Sequence, residues 1–134
     1  MTRIYKLLVL GVIVTLLISC KSDDDSSSAS LVGEWMAVDA ELNGISYWDN
    51  SVTCSNDDIT IFRSNNTYEA NEGATKCDPN DDQIISTGTW NWITEGSQLE
   101  VNGSSFDVQK LTGNDLIIVS TSFEDEIKTY FKRQ

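Results

Sequence analysis

The sequence contains no histidine, and only one proline and three cysteines in 134 residues. Without an imidazole, Ser–His and Cys–His catalytic pairs are excluded. Zinc sites draw on several cysteines or histidines, so this chain has too few ligands for one. No Gly-rich loop opens a helical segment, which removes the phosphate-binding motifs. We therefore predict a protein that is not an enzyme and that needs no metal or cofactor.

Basic residues are also scarce, with nine Lys and Arg against 21 Asp and Glu and a net charge of −12 at pH 7. A surface this acidic repels nucleic acid and anionic membrane surfaces. Nucleic acid is therefore excluded as a partner, and the charge chiefly indicates solubility.

A long apolar run is missing, because the one apolar stretch covers only residues 7–19. Spanning a bilayer takes about 20 residues. Arg3 and Lys6 precede the stretch, and small residues end it. A positive start followed by a short apolar core predicts a cleaved signal peptide at residues 1–19.

Cys20 follows this stretch directly. The run Leu17-Ile18-Ser19-Cys20 resembles the lipobox of bacterial lipoproteins. The resemblance implies cleavage before Cys20, a diacylglycerol on its sulfur and an acylated N-terminus, carrying chains such as palmitate. Each buried methylene contributes about 0.8 kcal/mol, so two or more chains anchor a protein firmly. The alternative is a plain secretory signal that leaves Cys20 free.

Residues 20–30 are rich in serine and aspartate. Such a segment cannot bury enough apolar surface to fold, so we predict a flexible acidic tether. It resembles the acidic export signal of surface lipoproteins in Bacteroidota-type bacteria, which implies a lipid anchor in the outer membrane and exposure at the cell surface. The alternative is a tether that carries no export signal. Residues 31–134 then form one domain.

Cys54 and Cys77 are the remaining cysteines. In an exported protein the oxidising compartment favours a disulfide between them. Closing a loop of this length stabilises a fold by about 3 kcal/mol.

Turn signals recur every eight to twelve residues from Leu31 onward, which predicts an all-β domain. Asn43-Gly44 and Asn102-Gly103 indicate hairpin turns, and a bulge near Gln109-Lys110 accounts for a phase slip before Leu111. We predict an up-and-down antiparallel β-barrel of about eight strands, since closure removes exposed edges. The predicted strands are 34–42, 45–48, 58–63, 67–71, 84–93, 98–101, 105–111, 116–121 and 127–133.

Several short motifs support a family resemblance. They are Leu31-Val32-Gly33-Glu34-Trp35, Asp58-Ile59-Thr60-Ile61-Phe62 with Thr67-Tyr68, Gly88-Thr89-Trp90, Leu111-Thr112 and Tyr130-Phe131-Lys132-Arg133. In this order and spacing they resemble the lipocalin-like domain of Bacteroidota lipoproteins. The resemblance implies a lipocalin-like barrel over residues 31–133, with Trp35 closing one end. Asn65-Asn66 departs from the Asp-Gly that the family often has, which affects only a turn.

Four aromatic residues are candidates for a ligand site in the barrel mouth: Trp48, Trp90, Trp92 and Phe106. Barrels of this size either fill their interior with side chains or hold one small ligand. Core packing uses the same residue types, so both interpretations stay open.

An acidic loop offers a second candidate, because Asp78, Asn80 and Asp82 alternate like the first ligands of a calcium loop. The sixth position is Gln83 rather than Gly, and the twelfth is Thr89 rather than Glu. We therefore predict a solvated loop without a metal.

Together these features predict a surface-tethered, lipocalin-like lipoprotein that binds a small apolar or amphipathic ligand without catalysis. The alternative is an interaction module, such as an adhesin or a subunit of an outer-membrane uptake complex, whose barrel is filled.

Overall fold

A computed structural model describes residues 29–134. The predicted signal peptide, the predicted lipidation site Cys20 and most of the predicted tether lie outside the described residues. The predicted domain, from residue 31 onward, lies wholly within them.

The described chain contains nine β-strands and no helix. The strands are β1 (Gly33–Leu42), β2 (Ile45–Ser46), β3 (Ile59–Phe62), β4 (Thr67–Asn71), β5 (Ile84–Thr94), β6 (Gln98–Val101), β7 (Ser104–Leu111), β8 (Asp115–Ser122) and β9 (Asp125–Arg133). Each lies within a few residues of a strand predicted from the sequence.

The strands form one antiparallel sheet that closes on itself. Eight of them, β1 and β3 to β9, are neighbours in chain order, and β9 pairs back onto β1. The short β2 pairs with the last two residues of β1, outside this ring. Pairing β1 with β9 satisfies two strands that would otherwise present open edges. The predicted up-and-down barrel of about eight strands is confirmed, with one short strand added.

Asn-Gly dipeptides close two of the hairpins as predicted. Asn43 and Gly44 have φ angles of 52° and 79°, and Asn102 and Gly103 have 50° and 78°. Positive φ at both central residues is typical of the type I′ turn, whose twist matches that of the flanking strands. Asn66, at φ 64°, allows a similarly tight connection between β3 and β4.

A β-bulge interrupts β7 between Val108 and Lys110, where the sequence predicts one. A bulge inserts one unpaired residue and shifts the alternation of side chains. Leu111 is thereby returned to the barrel interior, where it pairs with Leu116 on β8.

Large apolar side chains pack one end of the barrel, which we call the filled end. Trp35, Leu99 and Leu116 are fully buried there. The Phe62 and Trp90 rings meet edge to face with centroids 5.8 Å apart, a geometry that adds about 0.5–1.5 kcal/mol to the burial of area. The buried cluster consists of Leu31, Trp35, Phe62, Trp90, Leu99, Val108 and Leu116.

Trp35 lies at the base of the filled end and contacts both the N-terminal and the C-terminal segments of the domain. Its Nε1 donates a hydrogen bond to the Leu31 carbonyl at 2.8 Å. The Arg133 guanidinium stacks on its ring, 4.3 Å from the centroid. Gly33 is required beneath that guanidinium, because a Cβ would collide with Arg133 and the φ of 146° disfavours other residues. These contacts give a physical reason for glycine at position 33 and tryptophan at position 35.

Cys54 and Cys77 form a disulfide, with Cα atoms 4.9 Å apart. The prediction is confirmed. The bond joins the segment before β3 to the loop between β4 and β5, so it ties together the two chain segments that flank the β3–β4 hairpin.

Candidate functional site

A cavity of about 190 Å³ occupies the half of the barrel opposite the filled end. We call this half, with the turns and loops around its mouth, the open end. Residues of six strands line the cavity: Thr60, Phe62, Tyr68, Val101, Phe106, Ile118, Ser120, Ile127, Thr129 and Phe131. Phe62 and Phe131 form its floor, because they lie nearest the Trp35 layer in the strand register.

Small inward side chains explain why this half is hollow. The strand register places the following residues on the inner face of the open half: Ala37, Ala40, Thr60, Ala70, Ser86, Ser120 and Thr129. An eight-stranded barrel is just wide enough for ordinary side chains to fill it. Alanine, serine and threonine do not reach its axis, so space remains.

The cavity wall is mostly apolar, and no charged residue belongs to the lining. Three hydroxyls, those of Thr60, Ser120 and Thr129, are set into it. The Tyr68 hydroxyl is already hydrogen-bonded, since it accepts from Asn102 Nδ2 at 2.9 Å. The wall therefore suits an uncharged apolar group, with a few hydroxyls available to orient it.

The structure separates the four aromatic residues that the sequence proposes for this site. Phe106 lines the cavity, whereas Trp48, Trp90 and Trp92 are not part of the lining. Trp90 and Trp92 do share a face, as predicted, and their rings meet edge to face at 6.3 Å. Trp90 belongs to the filled end, where its Nε1 donates to the Arg63 carbonyl at 3.1 Å. Trp48 lies in the segment after β2.

Carboxyl groups crowd one side of the mouth. Asp58 directly precedes β3 and Glu72 directly follows β4, so the register that pairs Ile59 with Asn71 sets the two acids opposite each other. Burial, together with the charges of Glu72 and Asp57, raises the pKa of Asp58 to about 6. The Oδ1 atoms of Asp57 and Asp58 are buried and accept no hydrogen bond from any group within residues 29–134.

The β8–β9 hairpin carries the other side of the mouth. Its tip contributes Glu124, Asp125 and Glu126, immediately before the cavity residue Ile127. Asn43 holds this tip in place: its Nδ2 donates to Asp125 Oδ1, and its Oδ1 accepts from the Glu126 amide, both at 2.9 Å.

Charge is distributed unevenly along the barrel axis. Segments 43–58, 72–83 and 122–128 surround the mouth, and Lys76 and Lys128 are their basic residues. Their acidic residues are Asp49, Asp57, Asp58, Glu72, Asp78, Asp81, Asp82, Glu124, Asp125 and Glu126. The filled end holds the other four cations of the described chain, Arg63, Lys110, Lys132 and Arg133. The mouth is therefore strongly anionic.

The acidic loop does not assemble a metal site among the described residues. Asp78 Oδ1 accepts hydrogen bonds from the amide and the Nδ2 of Asn80, at 2.8 and 2.9 Å. Lys76 Nζ donates to the Asp81 carbonyl at 2.7 Å. Within residues 29–134, no three Asp, Glu, His or Cys side chains are grouped closely enough to hold an ion.

Over the same residues, no helix has the length and apolar character needed to cross a membrane. Comparison of the chain with protein-family models, with curated protein sequences and with solved structures finds no match.

Sequence reasoning missed most of the cavity wall. Thr60, Val101, Ile118, Ser120 and Thr129 line it, but none is an aromatic residue that attracts attention in a sequence. Period-two alternation does indicate which residues face inward. A run of small inward residues near one end of several strands is the signal that would have located the hollow half.

Proposed function

We propose that this chain is a lipid-anchored, lipocalin-like binding protein that holds a small apolar ligand in the open end of its barrel, without catalysis. The observation that carries the proposal is the cavity. It is concave, its wall is mostly apolar, and the hydroxyls of Thr60, Ser120 and Thr129 are set into that wall. These are the general features of small-molecule sites.

The cavity volume limits the ligand's size. At about 190 Å³ it exceeds the roughly 150 Å³ apolar cavity that admits benzene. It is smaller than the pockets of about 300–1,000 Å³ that enclose drug-sized ligands. A single ring or a short alkyl chain fits inside, and the rest of a larger molecule would extend through the mouth.

Binding of a neutral, polarity-sensitive dye, N-phenyl-1-naphthylamine, tests this proposal, with its phenyl ring inside the cavity and its naphthyl group at the mouth. We expect one saturable site with enhanced emission. Ser120→Leu should abolish it, because the leucine side chain projects into the cavity. Thr121→Leu is the matched control, since Thr121 is exposed on the outer face of β8 and should leave binding unchanged. Absence of saturable binding, or equal binding by both variants, would contradict the proposal.

The lipid anchor is proposed at Cys20, at the outer membrane and exposed at the cell surface. The described chain starts at the filled end, where Leu31 is buried and the Ser30 carbonyl accepts from Arg133. An anchor at Cys20 would therefore attach, through the tether, to the filled end of the barrel.

Cell fractionation of Cys20→Ser tests the anchor. We expect this variant in soluble fractions and the parent protein in membranes. The double variant Cys54→Ser/Cys77→Ser is the control. It replaces the other two cysteines with serine and keeps Cys20, the proposed anchor. Mass spectrometry that finds an unmodified Cys20 would rule out lipidation.

One observation favours the alternative, an interaction module. Phe123, at the tip of the β8–β9 hairpin, is fully exposed and has a φ of 57°, a strained conformation for a bulky residue. Ile45 and Tyr47 are exposed at the same end. A photocrosslinking amino acid at position 123 should capture a protein partner on cells if this function applies. Position 93, exposed at the filled end, is the control and should give no product.

A further inference from the structure

We infer that the mouth selects ligands by charge, so that the cavity accepts an apolar group attached to a cationic or neutral head and disfavours anionic heads such as carboxylates. This inference rests on the proposed ligand-binding function and names the ligand class. It is carried by the juxtaposition of an uncharged apolar cavity with carboxyl groups on both sides of its opening.

The first group of carboxyls continues two cavity strands. Asp58 lies two residues before Thr60, whose side chain lines the cavity, and Glu72 lies two residues after Ala70, which pairs with Thr60. Side chains two residues apart on a strand share a face. The two acids therefore lie above the wall of the cavity, next to the path of any group that leaves it.

The second group lies at the tip of the β8–β9 hairpin. Asp125 lies two residues before Ile127 of the cavity wall and therefore shares its face, whereas Glu126 lies on the outer face. Glu124 completes the hairpin tip. Asn43 fixes this tip to the β1–β2 turn through two hydrogen bonds. Of the cations in residues 29–134, Lys128 pairs with this group, at 3.9 Å from Glu126 Oε1. It offsets little of the negative charge.

The charge of these carboxyls decides which head they would accept. Burial and the neighbouring charges of Glu72 and Asp57 raise the pKa of Asp58, so negative charge is already crowded here. The Oδ1 atoms of Asp57 and Asp58 are buried, so a head at the mouth interacts with the charge of these groups rather than by hydrogen bonding to those two atoms. An ammonium group supplies an opposite charge, whereas a carboxylate head adds repulsion.

Competition among three ligands with one eight-carbon tail tests the inference. Octylammonium, 1-octanol and octanoate are titrated against bound N-phenyl-1-naphthylamine at pH 7.5 and low salt. We expect octylammonium to displace the dye at the lowest concentration, about fivefold below 1-octanol, and octanoate to be the weakest. The spread should shrink in 0.5 M salt, because screening weakens interactions between exposed charges.

Charge-neutralising variants distinguish the effect of the carboxyls at the mouth from the effect of the protein's net charge. Asp58→Asn/Glu72→Gln should reduce the preference for octylammonium over octanoate. Glu34→Gln/Glu95→Gln makes the same change in net charge away from the mouth, at the filled end, and should retain the preference.

The outcomes distinguish this inference from the function on which it rests. Equal displacement by octylammonium and octanoate would overturn charge selection, and so would an equal effect of the two double variants. If the dye still binds in either case, the proposed ligand-binding function is retained. Failure of both the dye and all three octyl compounds to bind would overturn the two together.

Discussion

The filled end and the open end are built from the same strands with the same alternation, yet one is solid and the other hollow. At the filled end, inward positions carry residues such as Trp35, Phe62 and Leu99, which are buried and in mutual contact. At the open end the same faces carry Thr60, Ser120 and other small residues. Side-chain size at inward positions, rather than strand number, therefore decides where this barrel is solid and where it is hollow.

The two ends are also held together differently. The filled end is closed by Trp35 and Arg133 through packing and hydrogen bonds. At the open end, a disulfide ties two of the loops. Four comparisons test this division.

The largest expected effect is at the filled end. Trp35→Ala should lower the free energy of unfolding by about 4 kcal/mol, because it creates a cavity in a closed core. Phe106→Ala is the comparison at the open end, where a cavity already exists, and should cost about half as much. Urea unfolding monitored by circular dichroism measures both. Equal costs would show that the two ends are packed alike.

The disulfide should contribute the next largest amount. Cys54→Ala/Cys77→Ala should destabilise the protein by about 3 kcal/mol, since the unfolded chain regains the entropy of the open loop. Reducing agent should lower the unfolding midpoint of the parent protein and leave that of the double variant unchanged. A midpoint of the parent that does not respond to reduction would contradict the expected contribution.

Filling the hollow half should have a smaller effect of the opposite sign. Ser120→Leu should stabilise the fold by about 1 kcal/mol, because it adds apolar contacts where none exist. Thr121→Leu, on the outer face, should change stability little. Calorimetry of the two variants makes the measurement, and destabilisation by Ser120→Leu would mean that the wall cannot accommodate a larger side chain.

The smallest expected effect is on the pH dependence of stability, which should differ between the two ends of the barrel. At the open end, the pKa of Asp58 rises to about 6 from its ordinary value of 3.8. The folded state therefore holds the proton more tightly, and this contribution to stability, full below about pH 4, is lost as the pH rises through 6. Asp58→Asn should flatten the stability profile in this window.

At the filled end the sign reverses. Hydrogen bonds from Lys110, at 2.8 Å, and from Lys132 lower the pKa of Asp115 to about 2. Its contribution is present above about pH 4 and is lost as the pH falls through 2. Asp115→Asn should flatten only that lower window. Chemical unfolding at half-unit pH steps measures both profiles, and loss of the same window in both variants would refute the assignment.

Much of the fold was predictable from local signals. Asn43-Gly44 and Asn102-Gly103 specify type I′ hairpins because few other dipeptides adopt positive φ twice in succession. The bulge in β7 followed from the phase slip of Leu111. The pairing of Cys54 with Cys77 followed from the predicted export of the protein and the count of cysteines. The turns and the bulge depend only on residues that are neighbours in the chain, and the disulfide partners are the two cysteines that remain after Cys20.

The candidate site was less predictable. Aromatic content indicated Trp90 and Trp92 as cavity residues, whereas the lining includes only Phe106 of the four proposed. Trp90 instead packs against Phe62. The height of a residue along the barrel axis depends on the stagger between strands, which alternation does not specify.

The turns, the apolar faces of the strands and the dominant charge could be predicted from the amino-acid order, because these properties depend on residues close together in the chain. The position of the hollow and the carboxyls that surround its mouth could not. Both depend on strand register and closure, which bring Thr60 near Thr129 and Asn43 against the β8–β9 hairpin from distant parts of the chain.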